Sequence, residues 1–184
     1  MEQNVIQKDM WNLAAKAGLV LGIVSAAYVF IVRLTGMAGL PSVASMAVNF
    51  LLWGLKFGGC IWLMMFFMKK FAAEHPKAIN ADTRRFGIIT ALLSALVYST
   101  FCLADISFIS PEYYTQPIEQ MLQESAPMLD SNSLSKVDSI MGMLPQLTFF
   151  SNLIYCFIYG TIVSAFLSIN IPSRNPFENN KSDE

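Results

Sequence analysis

A lysine in the middle of a long apolar run is the residue with the most conspicuous chemistry in this chain. Lys56 falls within residues 43–68, which only Asn49 otherwise interrupts. An ammonium at the centre of a bilayer costs about 2.5–3.5 kcal/mol on insertion scales, so it is expected to face an opposite charge, polar groups or a water-filled cavity. Asp105 is the one acid inside another apolar run. Depth argues against a direct pair: Lys56 lies about 13 residues from the outer end of its run and Asp105 about four, a mismatch of about 13 Å at 1.5 Å per residue. Tyr98, Ser94, Asn152 and Tyr155 are further groups that could serve the ammonium, and Asn49 sits two turns nearer the outer end of its own helix. Lys56, Asp105, Tyr98, Asn152 and Asn49 therefore form the candidate polar site within the membrane. Three roles are open for the lysine: satisfied inside a helix bundle, paired with an acid on a partner protein, or part of a ligand or ion site.

Other chemistries find less support. Cys60, Cys102 and Cys156 each lie in an apolar run with no CxxC pair, which argues against a disulfide framework and a zinc site and reads as small apolar filler. The single histidine, His75, lies in a charged loop without clustered acidic neighbours, so neither a metal site nor Ser/His/Asp catalysis is expected. No cofactor motif is present, and no enzyme is expected. A net charge of −1 gives no basic footprint for nucleic acid.

The elements that must position these residues follow from charge spacing. Charged residues make up 14% of the chain and hydrophobic ones 54%, against about 25% charge in a soluble domain. The charges cluster and leave four long apolar runs, and about 20 such residues cross a bilayer core. Spans are expected at about residues 13–34, 43–68, 86–109 and 144–171. Gly36, Gly39 and Pro41 punctuate a tight link between the first two, which makes them an antiparallel hairpin. The expected fold is all-α: an integral membrane four-helix transmembrane bundle forming one domain over residues 1–172, with a disordered cytoplasmic tail at 173–184. An uncleaved first span fits better than a signal peptide, since its apolar run ends at Arg33 without a small-x-small cleavage site.

Nine of the Lys and Arg residues fall on the N-terminus, the 69–85 loop and the C-terminal tail, against only Arg33 and Lys136 on the other face. The positive-inside rule places those nine in the cytoplasm, with both termini. The 110–143 loop then lies outside. It is acidic (Glu112, Glu119, Glu124, Asp130, Asp138) and partly helical, with one helix opening at Pro117 and another after Ser133. These helices are expected to cap the bundle or rest on the membrane surface, with Tyr113 and Tyr114 at interface depth and Trp11 on the opposite side.

Small residues recur at four-residue spacing in three spans: Gly18, Gly22 and Ala26; Gly54 and Gly58; Gly160, Ser164 and Ser168. Such ladders let helix backbones approach closely, either within the bundle or against a second membrane protein.

The segments KAGLVLGIVSAAYVF and FFSNLIYCFIYGTIVSAFLSINIPSRNPFENN, the basic 69–85 loop and the acidic outer loop together carry a resemblance. The chain resembles a bacterial family of small four-span inner-membrane proteins known only as a domain of unknown function. The resemblance implies a bacterial inner-membrane location and transfers no catalytic residue. The leading expectation is a non-enzymatic accessory or scaffold subunit that binds another membrane component, or a further copy of itself, within the lipid bilayer. The alternative is a small transporter or ligand-binding membrane protein with a polar pocket around Lys56.

Overall fold

The structure is a computed structural model, described over residues 2–37, 41–76, 78–125 and 131–171. Six helices follow in order: α1 Glu2–Met37, α2 Ser42–Glu74, α3 Asn80–Ala104, α4 Pro111–Ser125, α5 Ser131–Gly142 and α6 Leu144–Ile169, with a π-helical turn, Asp105–Ile109, closing α3. No strand occurs among the described residues. Four helical segments are long and apolar enough to cross a membrane: Gln7–Gly36, Val43–Glu74, Asn80–Ile109 and Leu144–Ile169. The fold is thus an all-α, four-helix membrane bundle. The tail 173–184 and Gly39 of the first link lie outside the described residues; Gly36 still belongs to α1.

Local chemistry sets the helix ends. Pro41 precedes α2 with φ −52°, a value its ring fixes. At the other end of α2 the His75 N–H donates to the Phe71 carbonyl at 3.1 Å, and Pro76 permits no further turn. Asp82 in the first turn of α3 accepts from the Ile79 N–H at 3.2 Å, satisfying a donor just outside the helix. The outer segment departs from expectation at its start. Its first helix opens at Pro111 and carries Pro117 in its interior. Pro111 supplies the same preset φ for a first helical turn six residues earlier, and the cost of Pro117 is one missing bond to the Tyr113 carbonyl.

α3 is the hub. It packs along α1 and α6, and 39% of its apolar window is buried, against 6% for α2. The approach is close because glycine and alanine sit at the crossings. A Cβ at Gly22 would lie 2.6 Å from Val97 Cβ, and one at Gly160 would lie 2.6 Å from Ala91 Cβ. Gly18 meets the α3 backbone at Thr90 and Ser94 in the same way, and Ser164 fills the space over Gly87 while its hydroxyl donates to the Arg84 carbonyl at 3.1 Å. With lipid as solvent, dispersion across such contacts replaces the hydrophobic drive. The α2 ladder differs: Cβ atoms at Gly54 and Gly58 would meet nothing within 4 Å.

The apolar core sits toward the end of the bundle that carries the 69–85 segment. Phe71 and Phe86 stack there with centroids 4.7 Å apart and planes 4° from parallel, among Met10, Ala14, Met68 and Ile171. This cluster ties α2 to α1 and α3 at one end. Toward the middle α2 leans mainly on α1 and touches α6 at few points, which opens space inside the bundle.

Candidate functional site: a lysine-bearing cavity

That space is a partly enclosed cavity of about 80 Å³, with walls from α1, α2, α3 and α6. Lys56 enters it from α2. Its Nζ lies 4.7 Å from the centre of the Tyr28 ring and 4.8 Å from that of Tyr98, with Phe57 at 5.8 Å. The faces of these rings carry the negative part of the aromatic quadrupole, and such contacts contribute about 0.5–2 kcal/mol each as solvent is removed. None of the ion pairs or hydrogen bonds among the described residues involves the ammonium, so its three N–H donors remain unspent. Apart from this group the wall is mostly apolar, with Ser25, Ser94, Tyr155 and Tyr159 as further polar points.

Cys60 and Cys156 also line the cavity; the Cys60 thiol lies 3.7 Å from the Ser25 hydroxyl. Sequence spacing put these cysteines on different helices and gave no sign that they share a wall. Tyr28 was equally hidden, since nothing in its own run marks the face it takes.

Part of the wall is the seam of α2 and α6. Phe57 and Tyr159 meet across it edge to face, with centroids 5.2 Å apart. Tyr155 lines the cavity and is also 61% exposed, so the wall there is one side chain thick.

Asp105 is elsewhere. It is fully buried at the opposite end of the bundle from Phe71, where Arg33 of α1 holds it bidentately: Nη1 donates to Oδ1 at 3.0 Å and Nη2 to Oδ2 at 2.6 Å. The Tyr114 hydroxyl donates to Oδ2 at 2.7 Å, and Arg33 Nη1 also donates to Ser110 Oγ at 2.7 Å. Arg33 stacks over Tyr113, 4.7 Å from the ring centre. Burial and the Asp105 carboxylate together push the Tyr114 phenol above its ordinary range. The π-helical turn shapes this knot: the Ser110 N–H donates to the Asp105 carbonyl at 2.8 Å, five residues back, which gathers Asp105, Ser110 and α4 on one side.

The proposed polar cluster therefore divides. Lys56 and Tyr98 come together in the cavity. Asp105 joins Arg33 instead, because the two share a depth that Lys56 does not. Asn152 is half-buried on α6 and does not line the cavity, and the Asn49 carbonyl oxygen is buried on α2 without a hydrogen-bond partner. Arg33 was read as a flank of the first span; the depth arithmetic that separated Asp105 from Lys56 was the signal that a cation near the outer end of another helix must hold it. No group of three or more metal-ligating side chains occurs among the described residues.

No curated protein and no solved structure matches this chain. One family does, described as protein of unknown function DUF4199, over residues 16–169. That range takes in most of the first apolar helix and all of the other three, Lys56 and its aromatic neighbours, and the Arg33–Asp105 knot. The chain belongs to the DUF4199 family.

Proposed function

We infer that this protein is a ligand-binding membrane protein, a binding protein or small transporter, that takes a small molecule into the Lys56 cavity. The observation that carries the reading is the unspent ammonium on an otherwise apolar wall. A lysine that served only the bundle would be expected to spend its donors within it. Here Asp105, the one acid inside the apolar runs, is already held by Arg33, so the charge on Lys56 faces a small cavity of about 80 Å³ instead. The reading needs no catalytic group. On the distribution of Lys and Arg we place both termini and the 69–85 segment in the cytoplasm; the bacterial inner membrane rests on what the family resemblance implies.

The test is purification in mild detergent from the native membrane, with mass spectrometry of the molecules that remain bound. Wild-type protein is expected to retain a defined small molecule that Lys56→Met releases, with helical content and melting temperature unchanged. Equal retention by both proteins, or none by either, would remove Lys56 from any binding role.

An accessory role is the second reading. What favours it is the α2 ladder, where Gly54 and Gly58 present open backbone to the surroundings. A membrane protein that co-purifies in fixed ratio and is lost with Gly54→Leu would put it first.

A further inference from the structure

We propose, on the ligand-binding reading of the cavity, that its ligand is a single-tailed fatty carboxylate drawn from the surrounding leaflet, which passes sideways between α2 and α6. The charge of the site selects the head group. Lys56 is a single cation with no acid beside it among the described residues, so a monoanion neutralises it. A dianionic phosphate monoester would leave a charge over in low dielectric. A cationic ligand is opposed by the ammonium, which itself occupies the faces of Tyr28 and Tyr98. A carboxylate accepts two of the lysine donors directly.

The apolar wall selects the tail. The cavity of about 80 Å³ takes the head group and the first methylenes against Ile61, Met64 and Val163, while the rest of the tail stays in lipid, and methylenes leaving lipid for such a wall neither gain nor lose much. The positioning energy therefore comes from the head group. The route follows from the packing. α2 and α6 touch at few points, and the ring pair Phe57–Tyr159 bridges the gap between them. A chain arriving from the bilayer needs only those two rings to swing apart. Exposed side chains turn over on the nanosecond scale, whereas separating α3 from α6 would break the Gly160–Ala91 contact.

The experiment uses the full chain in nanodiscs of phosphatidylcholine. The probes are a fatty acid brominated at its chain end and the matching brominated alcohol, each also measured on variants and corrected by protein-free discs. Bromine quenches tryptophan, and Trp53 stands beside the gate, 4.7 Å from the Phe57 ring. Trp53→Phe identifies its share of the signal. The acid is expected to quench saturably and about tenfold or more tightly than the alcohol, as befits a charge-assisted contact. Lys56→Gln should bring the acid down to the level of the alcohol, and Lys56→Arg should retain the preference. Phe57→Ala should speed the onset of quenching severalfold, the acid–alcohol preference being read on wild-type protein. Saturable quenching by acid and alcohol alike would overturn the carboxylate while leaving a cavity that binds apolar molecules. Unsaturable quenching by both would overturn the ligand-binding reading as well. An unchanged onset in Phe57→Ala would overturn the lateral route alone. The acid–alcohol comparison on wild-type protein stands even where a variant fails to fold.

Discussion

Arg33 and Asp105 neutralise each other where neither has water to fall back on. Asp105 is fully buried and the Arg33 side chain is 15% exposed. Removing one partner leaves the other charge behind, which costs about 3–5 kcal/mol in buried pairs, whereas replacing both with apolar residues of similar volume is often neutral or better. Asp105→Asn is therefore expected to lower thermal stability in detergent strongly. Arg33→Met combined with Asp105→Leu should recover most of the loss. A double variant as unstable as the sum of the single ones would mean that the pair contributes no coupling energy, and would remove it as the fastening of this end of the bundle. Lys56 offers the contrast: it has no counter-charge to strand, so its replacement by Met should leave the melt unchanged. The sequence made this division half legible. Depth along each helix ruled Lys56 out as the partner of Asp105, and the same count points to Arg33, one residue from the end of the first span. What depth cannot give is rotation about the helix axis, and rotation is what turns Cys60 and Cys156 toward the cavity and Tyr28 toward Lys56.

At the scale of elements, the small-residue ladders look alike in sequence and differ in what they meet. Gly18, Gly22 and Gly160 lie against α3, whereas Gly54 and Gly58 of α2 face open space. Hydrophobic spacing marks a face on a helix but not which neighbour lies opposite it. The difference predicts opposite results from one kind of substitution. Gly22→Leu and Gly160→Leu must push α1 or α6 off α3, at a cost of about 1–3 kcal/mol or more for overpacking. Gly54→Leu and Gly58→Leu should leave the melt of the isolated protein within about 0.5 kcal/mol, the range of surface changes. Thermal unfolding followed by circular dichroism separates the two sets. Equal losses in both would mean that the α2 ladder is packed in the working protein, against a second copy or another membrane component. The outer segment shows the same limit from another side. Its apolar stripe made helices legible at 118–122 and 134–144, but α4 already opens at Pro111, and its first turn brings Tyr114 to Asp105, a contact between residues on different elements.

Across the whole molecule, packing and polarity are distributed along the bundle axis. The aromatic and methionine core fills the end near residues 69–85, the cavity occupies the middle, and the Arg33–Asp105 knot with α4 closes the other end. Which end faces the cytoplasm is set by charge. Among the described residues, Lys8, Lys16, Lys69, Lys70, Arg84 and Arg85 lie toward one end of the bundle and Arg33 and Lys136 toward the other. Arg33 weighs still less in that balance, because Asp105 cancels it. Lys136 thus remains as the basic residue at the capped end, which the proposed orientation turns outward; it is exposed on α5, while Lys69 is exposed at the far end of α2. An amine reagent that does not cross membranes, applied to intact cells stripped of any outer barrier, should therefore modify Lys136 and spare Lys69 until the membrane is opened. Modification of Lys69 first would invert the topology. It would also turn the Arg33–Asp105 knot and its α4 cap toward the cytoplasm, although the Lys56 cavity, near the middle of the bundle, would still open sideways to lipid.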